Sequence, residues 1–98
     1  MNENEIRNKL IGIYFKKCYI GFGEVTPEEE DFIKQEIVCI PTGRNGYDSD
    51  KEHIIKHLTI GQEYTLDSMD VGQSYSNLKL KEFPDKSFNT VCFEYKIK

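Results

Sequence analysis

Two phrases in the C-terminal half decide how this chain is read: Leu58-Thr-Ile-Gly-Gln-Glu-Tyr64 and Phe88-Asn-Thr-Val-Cys-Phe93. Each sets β-branched or aromatic residues beside a turn signal, the pattern of a small β-meander. The second phrase runs into the strictest alternation in the chain. From Thr90 to Ile97, Val91, Phe93, Tyr95 and Ile97 fall on one side, and Cys92, Glu94, Lys96 and Lys98 on the other. A period of two specifies a strand with one buried face. These phrases point to a fold class and name no chemistry.

Working outward, Gly61 opens a strand over residues 62–69, with Tyr64 and Leu66 on one face. Asp70-Val-Gly72-Gln73 reads as a turn. Residues 76–83 form the next strand, with Leu78 and Leu80 inward and Asn77, Lys79 and Lys81 outward, and Pro84-Asp85 turns again. Upstream, residues 36–40 make a short apolar run stopped by Pro41, consistent with a strand buried on both faces. Residues 42–51 carry Gly43, Asn45-Gly46, Asp48 and Asp50 and read as a loop; residues 53–57 are one helical turn or more of that loop.

The first 35 residues have helical signals instead. Over residues 3–18, Ile6, Leu10, Ile13, Tyr14 and Cys18 recur at helical spacing, with Lys16 and Lys17 late, where a helix dipole favours them. Gly12 weakens that helix, and a strand over residues 10–15 is the competing reading. Gly21 and Gly23 end the element. Thr26-Pro-Glu-Glu29 then restarts a helix to Lys34 or Gln35: Thr26 is the cap, Pro27 suits the first position, and Glu29 completes a capping box. The expected fold is α+β, a single domain over residues 1–98, with a helical leader (1–35) on a small, strongly bent antiparallel sheet or barrel (36–98).

A resemblance follows from the strand ending Val38-Cys39-Ile40, then Leu58-Thr59, Gly61 and Tyr64, then Phe88-Asn89-Thr90-Val91, Phe93 and Glu94. Across residues 36–95 the chain resembles small SH3-like β-barrel proteins encoded by phages and prophages of Gram-positive bacteria. The resemblance implies an SH3-like barrel and a phage or mobile-element setting. It carries no site residue with it, because those proteins share a fold and no common activity. The leader and the long connection over residues 41–57 depart from the pattern.

Composition limits the partners. The chain has 98 residues, 13 Lys and Arg against 17 Asp and Glu, six Phe, six Tyr and no Trp. A mildly acidic protein is poorly suited to non-specific binding of nucleic acid or anionic membrane. No run is long enough to span a membrane, and the polar N-terminus does not resemble a signal peptide, so the expected location is the cytoplasm. Cys18, Cys39 and Cys92 are odd in number and widely spaced, as expected of buried reduced thiols rather than a disulfide framework.

The chemical motifs are all incomplete. His53 and His57 are four apart but lack a third ligand and the glutamate of a zincin. Asp48-Ser-Asp50-Lys-Glu52 begins like a calcium loop, yet His53 stands where glycine makes the turn and Thr59 where a bidentate glutamate belongs. Gly21-Phe-Gly23 is not a phosphate fingerprint, and no cysteine has a base beside it. No cofactor, metal site or catalytic residue is therefore expected.

What remains is surface. Glu28, Glu29, Glu30 and Asp31, with Asp48 and Asp50, form a candidate acidic face for a protein partner, including a host or defence enzyme inhibited by such a face. The bland alternative is a capped, solvated helix start. The second candidate is a nucleic-acid face of Lys79, Lys81, Lys96 and Lys98 on adjacent expected strands, with Tyr75 near by. Its bland alternative is edge protection by lysine. The favoured expectation is a non-enzymatic binding protein acting by protein–protein contact.

Overall fold

A computed structural model describes residues 2–18 and 23–98, apart from the Glu3 side chain. Gly21 lies outside the described residues. The chain runs α1 (Glu3–Cys18), α2 (Pro27–Lys34), β1 (Ile37–Pro41), α3 (Asp48–His57), β2 (Tyr64–Val71), β3 (Ser76–Leu80), β4 (Phe83–Asn89), a 3-10 turn (Thr90–Cys92) and β5 (Phe93–Ile97). The α+β class is the one expected from the sequence.

The leader is helical, and the strand alternative for residues 10–15 is set aside. Ile6, Leu10, Ile13 and Tyr14 are buried along one face of α1, and Gly12 sits on its exposed side. Burial of that face outweighs the glycine's cost of about 1 kcal/mol, since each buried aliphatic side chain contributes roughly 1.5–3 kcal/mol. The α2 cap forms as expected: Thr26 Oγ1 accepts from the Glu29 N–H at 3.2 Å, and Glu29 Oε1 accepts from the Thr26 N–H at 3.0 Å. Phe32 anchors α2 in the core.

The five strands form one antiparallel sheet in the order β4-β3-β2-β1-β5. The interior position of β1, between β2 and β5, explains its run of Ile37, Val38 and Cys39, all buried. β1 pairs with β5 along its length, from Ile37 opposite Ile97 to Pro41 opposite Phe93, but with β2 only at Val38–Thr65 and Cys39–Tyr64. β2 pairs with β3 from Leu66, opposite Leu80, to Val71, opposite Ser76, with a bulge between Leu66 and Ser68. The bulge shifts the inward set from Tyr64 and Leu66 to Met69 and Val71. The pairing leaves β4 and β5 as the two edges and includes no β4–β5 ladder among the described residues. α1 packs across β2 and β5, and α3 packs on β4.

Several expectations need correction. The turn expected at Pro84-Asp85 lies at Lys81-Glu82, and both Pro84 and Asp85 belong to β4. β2 fixes that turn: the Lys81 N–H donates to Thr65 O at 2.9 Å, and the Glu82 carboxylate accepts from the Thr65 N–H at 2.9 and 3.1 Å. Pro84 is tolerated because β4 is an edge strand.

The strand expected over residues 90–97 is broken at its start. Asn89 Oδ1 accepts from the Val91 N–H at 3.2 Å and opens the 3-10 turn, which carries Cys92 into the core instead of outward. Ile97, expected inward, is exposed at the free end of β5.

The supposed loop over residues 42–51 ends in a helix. The Asp50 carboxylate accepts from the Tyr47 N–H at 3.0 Å and starts α3 at Asp48, so His53 and His57 lie on a helix of 10 residues. The strand expected over residues 62–69 is displaced to Tyr64–Val71, taking in part of the anticipated turn. Cys39 and Cys92 are buried as expected, but Cys18 is exposed at the end of α1.

Candidate tyrosine-walled groove

The phrases that decide the fold are spent on structure. The Thr59 N–H donates to Tyr64 Oη at 2.9 Å, the Gly61 N–H to Pro41 O at 2.9 Å, and the Gln62 N–H to Thr59 O at 3.1 Å. In the second phrase, Tyr95 Oη donates to Thr90 O at 2.6 Å, and Ser76 Oγ lies 2.6 Å from Thr90 Oγ1. Burial raises the Tyr95 hydroxyl well above its ordinary pKa. The hydroxyls of Tyr64, Thr90 and Tyr95 in and beside these phrases are thus committed to holding the fold.

A concavity lies between the start of α3 and the β2–β3 turn. It is an open groove of about 560 Å³, with Ile11 and Val91 among its apolar residues and Asp50, Asn77 and Asn89 among its polar ones. Tyr47 and Tyr75 belong to its lining and are 80% and 52% exposed, which leaves two large aromatic side chains open to water. Large aromatic rings left in water at a concave site mark an interaction surface more often than scattered apolar side chains do.

The walls are held from behind. Asp50 Oδ2 accepts from both the Tyr47 N–H at 3.0 Å and the Asn89 Nδ2–H at 3.2 Å, which ties the first turn of α3 to the end of β4. Gly46, beside Tyr47, has φ +95° and lies so close to Cys92 that an added Cβ would stand 2.7 Å from Sγ. Cys92 Sγ in turn donates to Asn45 O at 3.1 Å. Glycine is required there by conformation and by space. On the other wall the Gly72 N–H donates to Tyr75 O at 2.9 Å and closes the hairpin.

The sequence candidates distribute differently from this groove. Of the acidic set, Asp50 alone lines it. Glu29 binds Lys16 Nζ at 2.9 and 3.1 Å, and Glu30 approaches Lys17 Nζ at 3.5 Å. The Thr26 N–H, followed by Lys16, holds the Glu29 carboxyl below its usual pKa. Glu28, Asp31 and Asp48 are exposed.

The lysine set does not assemble as expected. Lys79 is on β3 and Lys96 on β5, with β2 and β1 between those strands, and Lys81 is in a turn. Lys96 pairs with Glu63, and Lys98 Nζ lies 3.5 Å from Glu36. The expected adjacency fails because the chain crosses from one side of the sheet to the other between β4 and β5.

On α3, His53 Nε2 lies 3.0 Å from Ser87 O, and its ring stacks near Phe88 and His57. Burial, followed by Lys86, lowers the His57 pKa. Burial raises the Cys39 and Cys92 thiols away from the reactive thiolate. Among the described residues no three His, Cys, Asp or Glu side chains converge as a metal-binding group. No helix among them is long and apolar enough to cross a membrane.

The profile of bacteriophage T4 protein Y07B matches residues 38–98, more than half of the chain. The chain belongs to that family. The match runs from β1 to the C-terminus and includes every groove residue named above except Ile11, while α1 and α2 precede it. No curated protein and no solved structure matches the chain significantly.

The residues missed from the sequence are Tyr47 as a wall and Asn77 and Asn89 as polar lining. The sequence places Tyr75 beside lysines that do not line the groove with it. The available signal was the placement of Tyr47 after Gly46 and Tyr75 after Gly72, two large rings in turn-rich segments.

Proposed function

We propose that this phage-family protein is a non-enzymatic binding protein that docks a segment of a protein partner in the groove between Tyr47 and Tyr75. The exposure of those two tyrosines in the lining of one braced concavity is the observation that carries the reading. Tyrosine and arginine dominate the energetics of protein interfaces, whereas a nucleic-acid surface needs a basic field. The net charge of −4 and the separated lysines favour the protein partner. Action in the cytoplasm as an inhibitor of a host or defence enzyme fits this reading. A small antiparallel five-stranded sheet is compatible with kinship to SH3-like barrel proteins of phages, the resemblance that also suggests a Gram-positive host.

The acidic residues have a secondary place in this proposal. Asp50 braces the groove, and Glu28 and Asp31 remain unpaired among the described residues. The test uses tagged protein in the phage's host, identification of what it retains, and calorimetry with the purified partner. Tyr47→Ala with Tyr75→Ala should weaken binding at least about tenfold, the effect of losing interface anchors. Charge reversal at Glu28, Glu29 and Glu30 should change it little. The opposite order of effects would return the binding site to α2, and retention of nucleic acid instead, with steep salt dependence, would favour the lysine reading.

A further inference from the structure

Beside the groove lies a second, smaller recess. It holds about 50 Å³ and is lined by Asn4 and Arg7 of α1, Arg44 and Asn45 of the connection after β1, and Glu94 of β5. Val91 lines both the groove and the recess, so the two adjoin. Arg7 is one helical turn from Ile11, which lines the groove.

The charges of the recess are unbalanced. Arg44 pairs with Glu94. Arg7 is half-buried and pairs with no carboxylate among the described residues. Its charge is close enough to act on buried Tyr95, whose hydroxyl it opposes in its upward shift. Two guanidinium groups against one carboxylate leave one excess positive charge, next to two side-chain amides able to donate. In a protein of net charge −4, this local inversion of sign at a concave site is informative.

Size narrows the ligand. The recess has room for more than one water and suits a small polyatomic group better than a large ring system. Guanidinium forks match oxyanions whose oxygens accept two parallel hydrogen bonds.

We infer that the Arg7–Arg44 recess is an oxyanion-binding site that anchors a carboxylate or phosphate group on the partner segment held between Tyr47 and Tyr75. The inference rests on the docking reading for its partner but not for its ligand chemistry. The anion enters at Arg7 and shares Arg44 with Glu94, while the tyrosines hold the neighbouring residues of the segment. The partner is thereby an acidic or phosphorylated stretch of protein that also carries apolar or aromatic side chains. This arrangement gives an acidic protein a defined point at which to accept an acidic segment.

The full-length protein should be titrated separately with sodium phosphate and sodium acetate, with sodium chloride at matched ionic strength. Side-chain NMR signals of Arg7, Arg44, Asn4 and Asn45 are the readout. Saturable shifts with phosphate, acetate or both, absent with chloride and weakened about tenfold in Arg7→Gln, are the expected result. The arm that saturates identifies the group. Shifts that are linear, equal to those with chloride, or unchanged in both Arg7→Gln and Arg44→Gln would overturn the site. Glu94→Gln, which frees Arg44, should tighten binding, and its failure to do so counts against a shared Arg44. Tyr47→Ala should leave anion binding intact. If a single-stranded oligonucleotide binds and loses affinity in Arg7→Gln, the oxyanion site stands and the protein-partner reading fails.

Discussion

The ring of Tyr75 lies over Gly72 so closely that a Cβ on Gly72 would stand 2.3 Å from Cε1 and 2.6 Å from Cζ. The missing side chain of one residue thus seats the groove wall formed by the other. Gly72 has an ordinary backbone φ, so alanine meets no conformational barrier there, and only the half-exposed ring must move. Gly72→Ala should therefore fold, displace Tyr75, and weaken partner binding nearly as much as Tyr75→Ala. The ring-current shift of the Gly72 Hα protons in the native protein, lost in Tyr75→Ala, checks the contact directly. A normal Gly72 Hα shift in the native protein would remove it.

Gly46 offers the contrasting case. Its φ of +95° and the 2.7 Å approach to Cys92 Sγ make any side chain costly, and Cys92 is fully buried. Gly46→Ala should destabilise the protein by more than about 1 kcal/mol, through left-handed strain and displacement of the core thiol. Chemical denaturation measures it. A midpoint equal to that of the native protein would show that the loop relaxes freely.

Gly12 should behave in the opposite way. It lies mid-helix on the exposed side of α1, and an added Cβ would meet nothing within 4 Å. Gly12→Ala should stabilise the protein by about 0.5–1 kcal/mol, because alanine costs less backbone entropy to order in a helix. For a domain of this size, the melting temperature should rise by roughly 2–8 °C. Thermal unfolding by circular dichroism provides the check.

The α2 cap gives the acid limb of stability a defined contribution. The Glu29 carboxyl is lowered from its ordinary pKa by the Thr26 N–H and then by Lys16. A carboxyl whose folded pKa is depressed stabilises the fold above its unfolded pKa. That contribution is lost as pH falls through the folded value. Between about pH 6 and about pH 3 the native protein should lose more stability than Glu29→Gln. Parallel stability profiles for the two proteins would show that the interaction contributes nothing.

The three cysteines should differ in reactivity. Cys18 is exposed, whereas Cys39 and Cys92 are fully buried with thiols pushed up by burial. A thiol reagent should modify Cys18 rapidly in the folded protein and the other two only on unfolding. Peptide mapping after brief labelling distinguishes the sites, and early modification of Cys39 would contradict the burial.

Local signals in the chain were reliable wherever the deciding interactions were local. The α2 cap is legible because its partners are three residues apart, and α1 because its buried face repeats each turn. The run from Ile37 to Cys39 reads as a doubly buried strand because it is continuously apolar. The Lys81-Glu82 turn was not legible, since Thr65 on β2 fixes it through bonds spanning 16 and 17 residues. The break at Thr90 was hidden for a similar reason: alternation favours a strand, while Asn89 and the contact of Thr90 with Ser76 favour the 3-10 turn.

The sequence by itself determined an α+β chain, the two N-terminal helices, the buried strand β1 and the approximate positions of most later strands. Only the tertiary structure decided the strand order, which puts Lys79 and Lys96 on strands separated by two others and dissolves the lysine face. The same packing brings Tyr47 to Tyr75 and Arg7 to Arg44, pairs remote in sequence. Hydrogen bonds and burial periods act over a few residues and leave a trace in the order of amino acids. A groove or recess arises where separate elements meet, and that meeting is set by the packing of the whole core.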